Sequence, residues 1–340
     1  MKGIGIGIGI GIDMLNIAVI GAGLSGLTAA NILNTHANVT VFDKAKGPSG
    51  RLATRRADPY NFDHGCQFFS AKSSTFKEFL APMLRQGVIK PWNATFVEIE
   101  NRQITKSRQW DAQTPHYVGS PSMNAVGKFL SQGLSLVLGT AVTAVGKIPR
   151  GWVLKGETGQ NLGQFDWVVS AIPAQQAAQL WPEDTSFYTK VKSAKMEGCF
   201  TLMLGFEAGL PLDYQAALVR GEDISWISVN SSKPDRNSAT TLLVHSTNGW
   251  ATQHDGLDRN EALQHLLKQT SLVMGQDVSH ADHKAIHQWR YANCSKRTGE
   301  THFIDHASRS GACGDWLIKG RVEAAFTSGY SIAQDILSQL

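Results

Sequence analysis

The four cysteines, Cys66, Cys199, Cys294 and Cys313, stand far apart with no CxxC pair among them. That excludes a zinc ribbon and a disulfide scaffold and leaves reduced thiols in a cytoplasm as the expectation. No stretch approaches the roughly 18 uninterrupted apolar residues of a membrane span, and the first thirteen residues have no small-residue cleavage site. Neither sign of charge dominates: 32 Lys and Arg against 28 Asp and Glu give a net +4. The basic residues are scattered apart from "RLATRR" at 51 to 56, which is no electrostatic footprint for DNA or RNA. Nucleic acid and membrane are therefore not expected as partners, and the location is expected to be cytoplasmic. What the chain does have is core-forming material. With 340 residues, 42% of them hydrophobic, it is long enough for two domains at roughly 150 residues each.

Glycine crowds the start, "MKGIGIGIGIGIDMLNIAVIGAGLSGLTAA". The repeat places glycine at 3, 5, 7, 9 and 11. A G-x-G-x-x-G fingerprint needs its third glycine five residues after its first, and that place is never glycine for any glycine of the repeat. The repeat is expected to fray, because alternating glycine has much backbone entropy to lose and little side chain to pack. Residues 1–13 therefore read as an extension, with Met14 as a functional start.

From Asn16 the pattern changes. "NIAVI" is a short apolar run, a glycine turn follows, and "LSGLTAANILNTH" carries Leu24, Leu27 and Ala30 at helical spacing before "NVTVFDK" reads as a second strand. Strand, turn, helix and strand within about 30 residues make a βαβ unit with a parallel pair. The fold class is thus α/β, opening in a Rossmann-like domain. A helix is predicted over Ser74 to Gln86 and another in "SMNAVGKFLSQG". Strands are predicted in "LSLVLGTAVTAV", "GWVLKGE", "FDWVVSAIP", "TLMLGF" and "ATTLLVHS". The chain should end in a helix whose apolar face is Val322, Phe326, Gly329, Ala333, Ile336 and Leu340.

Gly21, Gly23 and Gly26 form the fingerprint between strand and helix, and Asp43, followed by Lys44, ends the next strand. Gly21 permits the tight turn, Gly23 lets backbone approach a pyrophosphate, Gly26 allows close packing, and Asp43 suits an adenosine ribose. A dinucleotide is the expected ligand, and the motif alone does not separate NAD from FAD. "KGPSGRLATRR" adds Arg51, Arg55 and Arg56, which either neutralise a pyrophosphate or form a solvated basic loop. "CGDWLIKGRVEAAF" places Gly314 and Asp315 in a turn before the last helix, whose N-terminus would favour an electron-rich flavin edge.

The combination "IAVIGAGLSGL", "VFDKAKGPSGRLATRR", "DHGCQFFSA", "GSPSMNAV", "VVSAIPA", "LVHSTNGW", "HQWRYA" and "GDWLIKGRVEAAFTSG" resembles the renalase-like branch of the flavin-containing amine oxidase superfamily. The resemblance runs from Asn16 to the C-terminus in the family's order. It implies bound FAD and a two-domain fold: a discontinuous FAD-binding domain (14–87, 120–173 and 291–340) and an α+β substrate domain on an antiparallel sheet (88–119 and 174–290). By position it implies Ser25 near the pyrophosphate, Asp43 on the ribose and Arg51 along the diphosphate and flavin. Gln67 and Phe68 would lie near the flavin, and Val142 would meet the adenine through its backbone. Asp315, Val322 and Glu323 would lie at the ribityl and ring end. Cys66 departs from the small residue common in the family and is expected to pack.

The resemblance further implies oxidation of isomeric dihydronicotinamide dinucleotides to NAD(P)+, with hydride passed to flavin and electrons to oxygen. Candidate catalytic residues are His245, Trp250, Trp289 and Arg290. An arginine would hold a substrate phosphate and a tryptophan would wall the ring, against the alternative that each is a core or strand residue. Competing functions are a flavin-dependent amine oxidase and a flavin-binding redox sensor without turnover. No metal is expected. His280, His283 and His287 would share a helical face, but "HADHKAIH" runs into the strand-like "QWRYA". "GLSGL" lacks the spacing of a G-x-S-x-G elbow, which excludes a hydrolase.

Overall fold

The computed structural model describes residues 14–339, so the glycine–isoleucine repeat, its expected fraying and Leu340 lie outside the described residues. Strand Asn16–Ile20 is the centre of a six-stranded sheet. It pairs in parallel with Asn38–Asp43 on one side and Trp167–Ser170 on the other, and Ser135–Leu138 extends the sheet beyond Asn38–Asp43. Ser310–Cys313 adds in parallel to Trp167–Ser170, and a hairpin partner, His302–Asp305, closes the far edge. Ile17 to Ile20 are all buried, as a strand covered on both faces must be. The crossover helix Leu24–Leu33 lies on one face beside the long C-terminal helix Val322–Leu337. Gly329 makes that approach possible, since a Cβ there would collide with the Ser25 carbonyl oxygen.

The second sheet has seven strands, in the order His283–Asn293, Glu197–Phe206, Thr240–Ser246, Ile224–Val229, Ala216–Arg220, Thr95–Glu100 and Gln103–Gln109. Neighbours are antiparallel except Ala216–Arg220 beside Thr95–Glu100, which run parallel. Period-two alternation splits the sheet into two chemically different faces. Phe200, Leu202 and Leu204 point outward into a core shared with Leu266 and Val273 of helix Arg259–Met274. Thr201, Met203 and their cross-strand partners His245 and Leu243 point inward. There the hairpin Arg55–Ala57/Tyr60–Phe62 reaches across and buries Tyr60 and Phe62 against Met203 and Leu243.

The predicted helices appear at Ser74–Arg85 and Ala125–Leu130. The first is capped by Ser73 Oγ, which accepts from the Phe76 amide. Residues 174–194 depart from the expected substrate domain. Helices Ala174–Leu180 and Tyr188–Lys192 bury Ala177, Leu180 and Val191 with Ala18, Ile20 and Phe42 of the parallel sheet. These short amphipathic helices cover the sheet face that the crossover helix leaves bare. The strand placed across the other expected boundary, His283–Asn293, runs on past 290. It puts His283 and His287 on one strand face, and among the described residues no group of three ligating side chains could hold a metal. No described helix is long and apolar enough to cross a membrane.

Candidate cofactor and active site

The glycine turn is built as a cradle. Gly21 sits at φ +113°, where a side chain would be strained and its Cβ would lie 2.6 Å from the Ala171 oxygen. Gly26 presses on the Gly21 carbonyl oxygen, so strand and helix meet without side chains between them. Gly23 is different, since nothing lies within 4 Å of where its Cβ would be. That open space faces a helix start with no side-chain cap and no first-turn acid, although its first turn is buried. Uncapped N–H groups at a helix start beside open space suit an anion such as a pyrophosphate. Asp43 braces the turn: its carboxylate accepts from the Ala22 amide at 2.6 Å and the Ala45 amide at 2.8 Å, leaving further lone pairs for a hydroxyl donor. Val142 opens the strand Val142–Ile148 just beyond Thr140, whose amide bonds the Asp43 carbonyl. Lys44 is exposed.

The second basic loop folds back onto this turn. The Ser49 amide bonds the Ala22 carbonyl, and a Cβ on Gly50 would lie 3.1 Å from the Gly23 Cα. Arg51 then crosses to the other end of the chain. Its two guanidinium nitrogens donate to Asp315 at 2.9 and 2.5 Å, and the first also donates to the Ala292 carbonyl at 3.0 Å. Burial opposes the Arg51 charge, but Asp315 outweighs it and the guanidinium is held above its usual range. Gly314, just before Asp315, has no room for a side chain beside the Trp316 indole.

Arg51 also positions the "DHGCQFF" loop, whose Cys66 amide bonds the Arg51 carbonyl. Cys66 packs as expected, its thiol donating to the Phe68 carbonyl and pushed up to about 11 by burial. Phe68 joins an aromatic group, its ring 4.8 Å from Trp110, 5.0 Å from His116 and 5.4 Å from Trp226. Gln67 is buried with His245 Nε2 3.5 Å from its amide nitrogen. Trp289 donates from its indole to the His64 carbonyl at 2.9 Å and stacks on the His64 ring. His245 and Trp289 therefore stand on the inner face with Gln67. Burial, then the charge of Lys233, pushes His245 down to about 4, and burial with His287 and Arg55 pushes His64 to about 3. Both imidazoles are neutral near pH 7 and act as hydrogen-bonding groups rather than acids.

Other expected residues lie elsewhere. Trp250 is a core residue of the outer face, stacked between His254 and His265 and edge-on to Phe200. Arg290 alternates to the face opposite Trp289, is 69% exposed and lies 3.9 Å from Asp255. Glu323 spends its carboxylate on the Lys72 and Ser73 amides at the start of helix Ser74–Arg85, while Val322 begins the last helix, half-buried. Ser25 turns its hydroxyl inward to the Cys313 thiol, 3.2 Å away. A shallow depression of about 580 Å³ beside His302 and Lys190 shares no residue with this site.

Sequence reasoning missed a buried ionic cluster beside Gln67. Asp63 accepts from Arg236 at 2.6 Å, Lys233 at 3.4 Å, Thr54 at 2.7 Å and the Met123 amide at 2.9 Å. Asp63 and Lys233 are fully buried side chains and Arg236 is 2% exposed. "SSKPDR" reads in sequence as a solvated polar turn, so nothing local marks its lysine and arginine as interior.

A family model described as NAD(P)-binding Rossmann-like domain matches residues 19–82, and one described as flavin containing amine oxidoreductase matches residues 96–337. Among solved structures the chain is similar to "Putative protoporphyrinogen oxidase" from Exiguobacterium sp. 255-15, at 12% identity and TM-score 0.75, covering 96% of this chain and 99% of that one. It is similar as well to a cofactor-site triple mutant of putrescine oxidase, at 12% identity and TM-score 0.73, with coverage of 96% and 99%. Wild-type putrescine oxidase bound to putrescine gives 12% identity and TM-score 0.67, with coverage of 95% and 99%. These likenesses carry the fold, while the family match spans most of the chain. A dinucleotide cradle in a flavin-containing family takes FAD. The chain is a flavin-dependent oxidoreductase and belongs to the flavin-containing amine oxidoreductase family.

Proposed function

We propose that the protein oxidises isomeric dihydronicotinamide dinucleotides to NAD(P)+, in the manner of the renalase-like branch, with oxygen as acceptor. FAD, when bound, would supply the two-electron redox chemistry. The glycine turn and the first helix hold the pyrophosphate, Asp43 takes the ribose, and Arg51 with Asp315 fixes the chain's two ends around the flavin half. Gln67, Phe68, His245 and Trp289 supply position, polarity and exclusion of water.

The charge balance of the interior carries this assignment. Among the described residues the buried carboxylates are Asp63 and Asp315, and both are already claimed by cations. An alkylammonium substrate would find no free anion there. Unpartnered donors are instead on offer, the indole nitrogens of Trp110 and Trp226 around Phe68. Donors beside flat apolar rings suit a planar ring bearing a carboxamide oxygen. The competing function is a flavin-dependent amine oxidase, favoured by the likeness to putrescine oxidase. Anaerobic mixing of the FAD-loaded protein with a panel of dihydronicotinamide isomers and primary amines decides between them. Bleaching of the flavin by the isomers is expected, and bleaching by amines alone would replace this function with the competing one.

A further inference from the structure

The cluster under Gln67 contains one carboxylate and two cations. Asp63, Lys233 and Arg236 are all buried, and among the described residues no second buried acid balances them. Asp235, which also faces Arg236, is 46% exposed and paired with Lys90 at 2.6 Å. The other acceptors of Lys233 are the neutral oxygens of Gln67, 3.2 Å away, and Asn230, 3.0 Å away. A buried net charge is costly unless something opposes it. Asp63 comes from the dinucleotide side and the cations from the segment between strands Ile224–Val229 and Thr240–Ser246, so the cluster also ties the two sheets together.

Its effect on Gln67 is specific. The Gln67 carboxamide oxygen accepts from Ser228 at 2.8 Å and from Lys233, while the amide nitrogen donates to the carbonyls of Asp63 at 2.5 Å and Gly65 at 3.0 Å. Donors on one side and carbonyls on the other permit a single orientation of that amide. The groups facing Lys233 are Asp63 and Cys66 from the loop after Tyr60–Phe62, Arg236 from its own segment, His245 from Thr240–Ser246, and the Trp92 ring 5.4 Å away. Of these only Asp63 is anionic at neutral pH.

We propose that Lys233 is a positioning residue for the flavin site: it fixes the Gln67 carboxamide and leaves one surplus buried positive charge that favours the electron-rich, reduced state of the ring bound beside Gln67. This rests on the FAD assignment and on Gln67 lying at the ring. Charge near a flavin tunes its electronics, and an ammonium inside the protein is screened far less than one at the surface. Burial pushes Lys233 down to about 8 against the pull of Asp63. In the oxidised protein the charge is therefore held at neutral pH and lost above about pH 8, and added negative charge on the ring restores it. Reduction above that pH takes up one extra proton.

The test is the two-electron reduction potential of the FAD-loaded protein, measured from pH 6 to 9.5 by equilibration with reference dyes, for wild type, Lys233→Met and Lys233→Arg. In wild type the potential is expected to fall more steeply above about pH 8 than that of free FAD, by a further tenfold in the redox equilibrium per pH unit, about 30 mV for a two-electron couple. Lys233→Met is expected to disfavour reduction about tenfold or more at pH 7 and to lose the steepening. Lys233→Arg keeps the neutral-pH potential and loses only the steepening. If Lys233→Met does not fold, the wild-type slope still decides, and a slope equal to that of free FAD overturns the proposal. A yellow Lys233→Met protein with an unshifted potential overturns it alone, whereas a wild type that takes up no FAD overturns the cofactor assignment with it.

Discussion

Arg51 and Asp315, 264 positions apart in the chain, meet as a two-pronged ion pair at 2.9 and 2.5 Å. Arg51 leaves the loop that folds onto the glycine turn, and Asp315 lies in the turn ahead of the helix packed across that turn's own helix. The pair ties the loop on the glycine turn to the turn before the last helix like a clasp, joining sequence from both ends of the described chain.

Arg51→Ala is expected to leave Asp315 buried without its partner and to lose most bound FAD. Breaking a buried pair by removing one member costs roughly 3–5 kcal/mol, with the lower end fitting an arginine whose side chain is 32% exposed. Absorbance of the purified protein near 450 nm, scaled to protein, measures occupancy, and full occupancy would remove Arg51 from the site.

Gly23→Ala and Gly26→Ala should fail differently. Gly23 has open space where a methyl would go, so the FAD-free protein should keep its stability to within about 0.5 kcal/mol while FAD affinity falls at least about tenfold. Gly26 has the Gly21 oxygen there, so its methyl should lower the melting temperature of the FAD-free protein itself. Thermal melts and FAD titration of the two variants separate these outcomes.

His64 and His245 should make the fold sensitive to mild acid. Both are held neutral, His64 down to about 3 and His245 to about 4, whereas in the unfolded chain each binds a proton below about pH 6.5. The unfolded state then holds more protons between those values, so stability falls as pH drops from about 6.5 toward 4. The slope is up to about 1.4 kcal/mol per pH unit for each histidine. Urea unfolding at pH 5 and 7 checks this. His245→Gln should flatten the dependence, and an unchanged slope would show that His245 titrates normally.

Trp250→Ala is expected to cost about 3–5 kcal/mol by leaving a cavity between His254, His265 and Phe200. Trp250→Phe, which folds more readily, should leave the rate of anaerobic flavin reduction within about twofold of wild type. Trp289→Phe should change that rate, because Trp289 stands on the inner face beside His64 and Gly65. Equal kinetic effects of the two substitutions would contradict the division of the sheet into two faces.

Residues within about 30 positions of the first strand were legible because their constraints are local. Gly21, Gly23, Gly26 and Asp43 need only one strand, one turn and one helix to come together. The family's segments named Arg51, Gln67 and Asp315 as candidates for one site. They gave no hint that Arg51 and Asp315 bind each other, since an ion pair across most of the chain leaves no periodic trace. Trp250, Trp289 and Arg290 look alike as candidates in sequence. Alternation along one strand puts Trp289 inward and Arg290 outward, and the strand turn after Ser246 sends Trp250 to the far core.

Sequence by itself determined the α/β class, the opening βαβ unit, the dinucleotide turn and the exclusion of the glycine–isoleucine repeat from the fingerprint, because each follows from spacing along a short stretch of backbone. Tertiary structure alone decided that residues 174–194 cover the parallel sheet, that Glu323 accepts from the Lys72 and Ser73 amides, and that Lys233 and Arg236 share Asp63 in the interior. Those outcomes depend on which surfaces two sheets leave uncovered when they pack, and a lysine in a polar turn reads the same whether the space beside it holds water or a buried carboxylate.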